Sequence, residues 1–353
     1  MLTLKKMKKM KKMAVISCVL CMLVSFSGCG KLQVSREIAK VNGNVVTKAE
    51  YMYYLENVKQ QMLSESGTTD AEGFWEAEID GVKAGEAAKK RALEEMLRVE
   101  IACVKAEEKG LSVAESDLKQ IRATVKTTDS EQKAQVDSVK DVTGLTDELL
   151  IDVLAKTTLA SSYASDLNMN DPAAVTPEEA DIRAAYEKDY VHVKHILISS
   201  TQEATAAEEG AEAEATVSAE EYKAQKKELA DSVLEKAKAG QNFDGLVKEY
   251  GEDPGMESSP EGYTFTKGQM VAAFETASFA LGVNEISDLV ETEYGWHIIK
   301  RLALPTAGEE YETAIQGVKG TLAQDMYNAL LNSYKSDMTI EIYQNVIDGI
   351  KIK

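Results

Sequence analysis

Val191-His-Val-Lys-His-Ile-Leu-Ile198 and Tyr294-Gly-Trp-His-Ile-Ile-Lys300 are the two stretches on which the reading of this chain turns. Each is a short apolar run rich in β-branched or aromatic residues, the pattern of a strand with at least one buried face. Each also carries a histidine in its interior, and the chain of 353 residues has only 3 histidines. His195 and His297 thus fall in the first and last strands of one stretch, residues 190–303, and a shared site there is a better explanation than chance placement.

Between those two runs the pattern alternates. An Ala/Glu-rich segment at 201–219, of low complexity and with few large apolar groups, reads as a disordered excursion. Then come a long helix at 219–239 stopped by Gly240, a short helix from Phe243, a Gly/Pro-rich loop at 251–262 and a strand near 263–266. A helix from Met270 to Ala280 and two closing strands at 286–290 and 296–302 complete the stretch. Strands and helices mixed in this order predict an α+β fold with an antiparallel-rich, four-stranded sheet flanked by helices.

The flanks are mainly helical. Glu37–Val41 and Asn44–Val46 read as strands around Asn42-Gly43, a pair that tolerates the positive φ of a tight turn, and Thr47-Lys-Ala-Glu50 is a capping box. From about 84 to 170 helical periodicity dominates: Leu93, Met96, Leu97, Ile101 and Val104 share a face, and Gly110 is a stop. Ser112-Val-Ala-Glu115 and Thr176-Pro177-Glu-Glu179 are read as further helix starts, the latter helix ending near Asp189. Polar intervals around 67–81 and 127–146 look like connectors. After 305, Tyr311, Ile315, Val318, Leu322, Met326 and Leu330 recur at helical spacing, and Met338, Ile340 and Ile342 alternate like a strand able to pair with 37–46. The expected division is 37–189 as a helical region, 190–303 as an inserted α+β domain, and 304–353 returning to the first domain.

The amino-terminal residues read as an export signal. Residues 1–28 carry six lysines in the first twelve positions and an apolar stretch from Met13 to Phe26, shorter than the roughly 20 residues a spanning helix needs. Ser27-Gly28-Cys29 resembles a bacterial lipobox, which implies that Cys29 is lipidated and that residues 29–36 form a tether. Cys18 and Cys21 have redox spacing but lie inside the signal. Cys103, on a helical stripe with Met96 and Val99, is read as core, so a mature chain has no intramolecular disulfide. Removing the six lysines of the signal takes the formal charge from −19 to −25, which argues against nucleic acid and against adhesion to anionic lipid headgroups. A hydrophobic content of 44% excludes wholesale disorder.

Residues 190–303 resemble a parvulin-type peptidyl-prolyl isomerase domain over nearly their full length. The blocks that carry the likeness are Val193-Lys194-His195-Ile-Leu197, Phe243-Asp-Gly-Leu-Val247 with Tyr250-Gly-Glu-Asp253, Lys267-Gly-Gln-Met270, Phe274-Glu-Thr-Ala-Ser-Phe279-Ala-Leu281, Glu285-Ile-Ser287, and the run 294–300. The Val41-Asn-Gly43 and Val46-Thr47-Lys-Ala-Glu50 segments resemble the N-terminal chaperone segment of the PrsA and SurA families. With the lipobox in front, the whole resembles a PrsA-type foldase lipoprotein of a monoderm bacterium. Two departures stand out: Gly251 where parvulins usually carry Ser, and Glu261-Gly-Tyr-Thr-Phe265 in place of a Gly-Gly-x-Leu-Gly turn.

The resemblance implies His195, Asp253, Ser287 and His297 as the catalytic set, and Met270 and Phe274, with Phe265 and Tyr263, as the slot for the proline ring. It implies no cofactor and no metal. Isomerisation makes and breaks no covalent bond; it twists a C–N bond against a barrier of roughly 18–20 kcal/mol. An apolar grip on the ring and polar groups around the rotating carbonyl favour the twisted state. Asp253 is a poor candidate nucleophile because a twist needs no covalent intermediate, and the histidines have a bracing role at least as strong as a direct one. His192 and His195, three apart in a strand, leave opposite faces and cannot chelate together; His192 is read as an exposed or edge residue.

The expected partners are unfolded exported polypeptides containing X-Pro bonds and, through the anchor, the extracytoplasmic face of the cell membrane, with a homodimer left open. Glu203, Glu208, Glu209, Glu212 and Glu214, where phosphate-directed parvulins place basic residues, imply phosphate independence. One rival reading is a holdase with an inactive parvulin fold. A second, a solute-binding lipoprotein, is disfavoured because no two-lobed α/β repeat is visible.

Overall fold

In the computed structural model, residues 35–68, 70–79, 81–201 and 218–352 are described. The expected signal, the expected lipidation site Cys29, most of the tether and nearly all of the acidic excursion lie outside them. The chain divides into two units, one of residues up to Thr176 with Gln324–Lys353, the other Pro177–Ala323.

The first unit starts from its tightest turn. Asn42 and Gly43 both take positive φ, 49° and 86°, joining β1 (Glu37–Val41) to β2 (Asn44–Thr47). The far edge of β1 is paired by β9 (Ile340–Ile342), Ala39 opposite Ile342, so the sheet order is β2-β1-β9 and the late strand returns to the early one as its alternation suggested. Thr47 accepts a hydrogen bond from the Glu50 amide at 3.3 Å and so caps α1 (Lys48–Ser66).

The interval 67–81 holds α2 (Ala71–Glu76) and the hairpin of β3 (Glu78–Ile79) and β4 (Val82–Lys83). Next come α3 (Ala84–Glu108) and α4 (Glu115–Val125). The latter begins behind Ala114 with no side-chain cap, so Ser112 is not its cap. The interval 127–146, read as a connector, is largely helical: α5 (Ser130–Thr143) is capped by Asp129 on the Gln132 amide, ends at left-handed Gly144, and buries Val136 and Val139. Its few apolar residues gave too little periodic signal, and packing supplied the rest.

The last long helix of this unit is α6 (Asp147–Asn170). Its Lys156 lies 2.6 Å from both Glu50 of α1 and Glu100 of α3, a charge cluster whose two carboxylates are buried. Burial pushes the Glu100 carboxyl upward, opposed by Lys156. Cys103 is buried as expected and is the one free cysteine among the described residues; burial pushes its thiol up to about 12.

The second unit extends past 190–303 at both ends. Ile182 and Tyr186 of α7 (Glu179–Asp189) pack with Ala314 and Val318, the early part of α12 (Glu309–Ser333). α7 starts behind Glu178 without a side-chain cap rather than at Thr176. The sheet order is β6-β5-β8-β7, all antiparallel, with β5 (Tyr190–Ser199), β6 (Tyr263–Thr266), β7 (Val290–Thr292) and β8 (Gly295–Leu302). The closing strand expected at 286–290 is shifted: Ile286 makes only an isolated bridge with Lys300, and pairing begins at Val290.

Alternation along β5 and β8 sorts two cores. Ile196, Ile198, Trp296 and Ile298 face α8 (Ala219–Lys238) and α9 (Phe243–Tyr250), meeting Ala230, Val233 and Leu246. Val191, Val193 and Ile299 face Phe265 and Phe274, the latter on α11 (Ala272–Ala280). The loop 251–262 contains α10 (Pro254–Ser258), and α13 (Gln344–Asp348) ends the first unit with buried Val346 and Ile347.

Candidate active site

The register of the two central strands creates the site. His195 lies opposite Ile299 and Leu197 opposite His297, so the two histidines are diagonal neighbours on one face. Their Nδ1 atoms are 3.0 Å apart and their rings nearly parallel, at 17°. Two further contacts extend the line: His195 Nε2 lies 2.7 Å from Asp253 Oδ2, and His297 Nε2 lies 2.8 Å from Thr292 Oγ1.

Asp253 is held by local structure before it meets a histidine. It caps α10, its Oδ1 accepting from the Gly255 amide at 3.0 Å, while Oδ2 also accepts from the Tyr263 hydroxyl at 2.8 Å. The His195 bond first, then the Gly255 amide and the Tyr263 hydroxyl, hold this carboxyl well below the usual range, against the opposing effect of burial. Burial, and then Asp253, push the Tyr263 hydroxyl above its ordinary value. Burial and the neighbouring His195 push His297 down to about 4, opposed by Asp253.

Donor accounting then orders the protons. A carboxylate only accepts, so His195 Nε2 donates to Asp253. With His297 neutral, two consistent arrangements exist. In one, Thr292 donates to His297 Nε2 and His297 Nδ1 donates to His195. In the other, those two bonds reverse while His195 Nε2 still donates to Asp253, and the pair carries one proton more. Either way every ring nitrogen of His195 and His297 has a partner.

Phe274 closes the apolar side. It is edge-on to both imidazoles, centroids 5.0 and 5.3 Å away at 77° and 71°. Phe265 sits 6.0 Å from Phe274, both are buried, and Met270, Val271 and half-buried Tyr263 rim the cluster. A separate cavity of about 590 Å³, lined among others by Lys194, Asp244, Lys248 and Pro260, touches His195 and Asp253.

Three expectations change, and one partner was not anticipated. Met270 precedes α11, which begins at Ala272, so it and Phe274 do not share a helix face; the turn at Gly268 brings it to the cluster instead. Ser287 is buried, its hydroxyl accepting from the Ile299 amide at 2.9 Å while its own amide donates to the Ile299 carbonyl. That pins the segment before β7 to β8 and joins Ser287 to neither histidine through any bond found. His192 is buried, not exposed: its Nδ1 is 2.9 Å from Thr264 Oγ1, which in turn donates to Glu310 at 2.7 Å. Thr292, which carried no signal beyond its place near the 294–300 run, was missed as the partner of His297.

The two departures from the parvulin pattern are sterically closed. A Cβ at Gly262, φ +116°, would approach Val193 O to 2.6 Å, and any Cβ at Gly251 already meets Val247 O at 2.4 Å. No group of three His, Cys, Asp or Glu residues able to hold a metal ion is present among the described residues.

Residues 181–303 match the family model of the PPIC-type PPIase domain, and residues 1–138 that of the SurA-like N-terminal domain. The site is therefore that of a parvulin-type peptidyl-prolyl cis–trans isomerase. Along its length the chain is 24% identical to the foldase protein PrsA of Caldanaerobacter subterraneus subsp. tengcongensis, over 94% of this chain and 91% of that protein. It is 28% identical to foldase protein PrsA of Geobacillus kaustophilus, over 52% of this chain and 58% of that one. The crystal structure of PrsA from Bacillus cereus aligns over 91% of this chain and 95% of its own at 19% identity, with a TM-score of 0.33. In domain content and in sequence the chain is similar to the PrsA foldases.

Proposed function

We propose that this chain is a lipid-anchored foldase at the outer face of the cytoplasmic membrane, turning X-Pro bonds of exported polypeptides without requiring a phosphate beside the proline. The observation that carries the catalytic part is the unbroken line Thr292–His297–His195–Asp253 beneath the edge-on ring of Phe274. Such a line fixes the imidazoles at the base of an apolar slot, where a twisting imide is relieved of water and its rotating carbonyl meets oriented polar groups. His195 and His297 orient and polarise, Asp253 sets the charge, and Phe274 with Met270 grips the ring. Ser287 acts through the strand it pins.

Phosphate independence is supported by the carboxylates around the cavity: Lys194 pairs with Asp244 at 2.9 Å, Lys226 pairs with Glu252, and Lys248 shares the lining with Asp253, Glu257 and Glu261. A phosphoserine side chain finds carboxylates rather than an open basic cluster. The anchor rests on Phe26-Ser-Gly-Cys29 alone; among the described residues no helix is long and apolar enough to cross a membrane.

The test is an exchange assay on matched proline tetrapeptides, with and without phosphoserine before the proline, using wild type, His195→Ala and Asp253→Ala. Turnover of the unmodified peptide, lost in both variants, supports the reading; a preference for the phosphorylated peptide overturns its specificity. Full refolding of a client by the inactive variants favours the holdase instead. Palmitate incorporation abolished by Cys29→Ser checks the anchor.

A further inference from the structure

We propose that Tyr263 is a positioning residue of the isomerase, its hydroxyl locking the Asp253 carboxylate in the plane from which it orients His195, in a seat that exists because residue 255 is glycine. The proposal rests on the assignment of His195 and Asp253 to the reacting centre. Tyr263 opens β6 within the segment 261–265 where the chain departs from the parvulin pattern, and a ring that merely lined a proline slot would need no carboxylate acceptor for its hydroxyl. Here the hydroxyl donates to Asp253 Oδ2 at 2.8 Å, the same oxygen that His195 reaches at 2.7 Å.

Three donors therefore fix one carboxylate, with the Gly255 amide on Oδ1 at 3.0 Å. Rotation about the Cβ–Cγ bond breaks at least one of them, so the direction presented to the imidazole is set. The base of the tyrosine is equally fixed, since Val193 pairs with Tyr263 across β5 and β6. Gly255 completes the seat: a Cβ there would come within 2.0 Å of the Tyr263 oxygen and 3.2 Å of Asp253 Oδ1. Its backbone is not in the left-handed region, so the demand for glycine is one of space. The segment that departs from the parvulin pattern thus contributes an anchor for this carboxylate. The ionisable groups around that carboxylate are His195 and His297 on the strands, Tyr263, and Lys194, Asp244, Lys248, Glu257 and Glu261 in the lining of the adjoining cavity.

The experiment compares the full chain with Tyr263→Phe, Gly255→Ala and Asp253→Ala. It reads the Asp253 carboxyl titration by carbon NMR, the His195 Nε2 chemical shift, and kcat and KM separately on an unphosphorylated proline tetrapeptide by exchange spectroscopy. Removing one donor from a charged acceptor raises the carboxyl midpoint by roughly one pH unit. The expected result is that rise in Tyr263→Phe, a shifted His195 signal and a kcat lower by roughly three- to tenfold with KM little changed. Gly255→Ala reproduces all three by displacing the hydroxyl. Wild-type titration and kcat in Tyr263→Phe, or a rise in KM alone, overturn the proposal. Full activity in Asp253→Ala overturns instead the site assignment beneath it.

Discussion

Replacing His297 with glutamine flattens the acid dependence of stability in the isomerase unit, by an amount the site itself sets. His297 is 4% exposed, and its pKa falls from the ordinary 6.5 to about 4. Between those two values the unfolded chain binds a proton that the native site refuses. Stability therefore rises with pH there, is fully present above 6.5, and is lost as the pH falls towards 4. At about 1.36 kcal/mol per unit, the descent removes about 3 kcal/mol.

Glutamine retains a donor and an acceptor for Thr292 and His195 but takes up no proton. The variant loses this slope while every other group's contribution largely cancels in the difference. The chain's 2 tryptophans make the measurement specific. Trp296 packs in the second unit and Trp75 in the first; the Trp75 Nε1 has no hydrogen-bond partner, so a Trp75→Phe background strands no group. Urea unfolding of that background, followed by Trp296 fluorescence from pH 7.5 to 4, is compared with and without His297→Gln. Parallel stability curves for the two proteins would refute the view that this histidine is held neutral by burial.

Lys156→Met leaves Glu50 and Glu100 buried without their shared cation, and at pH 7 costs the first unit about 3–5 kcal/mol. Because the Glu100 carboxyl is already pushed up, the penalty belongs to its charged form. The gap to wild type therefore narrows as the pH falls from 7 towards the ordinary carboxylate range, which unfolding at pH 7 and pH 4 reads through Trp75; a gap independent of pH contradicts this. Thr292→Val removes the partner of His297 Nε2 and costs about 1–3 kcal/mol of stability. It also lowers kcat and moves the His297 Nε2 resonance, and an unmoved resonance shows that the 2.8 Å contact is not a hydrogen bond in solution. Cys103, buried and pushed up to about 12, stays unmodified by a thiol reagent at pH 8 in the native chain and reacts in urea. Peptide mass mapping distinguishes it from the other cysteines, and rapid native labelling sinks the assignment.

Much of the architecture was legible residue by residue. Asn42-Gly43 marked its hairpin, Thr47 its cap, Gly110 and Gly240 their helix ends, and the 191–198 and 294–300 runs their strands, because each signal is carried by residues close together in the chain. Signals were misread where local chemistry was weak or outcompeted. The helix over 130–143 has few apolar residues to mark a face. Ser112 and Thr176 have the side chains of caps, yet Ala114 and Glu178 occupy those positions. His192 looked like an edge residue because nothing near it in sequence shows that Thr264 and Glu310 cover it.

The sequence by itself determined an α+β isomerase fold set within a mainly helical region, and it marked two histidines, an aspartate and an aromatic slot as belonging together. Only the tertiary structure decided which atoms meet. The register placing His195 opposite Ile299 makes the imidazoles diagonal neighbours, gives His297 to Thr292, turns Ser287 into a strand pin and sends the Tyr263 hydroxyl to Asp253. Hydrophobic period and turn chemistry are properties of neighbouring residues and so can be read along a chain. A hydrogen bond between groups 102 positions apart depends on pairing and packing fixed by the whole domain at once.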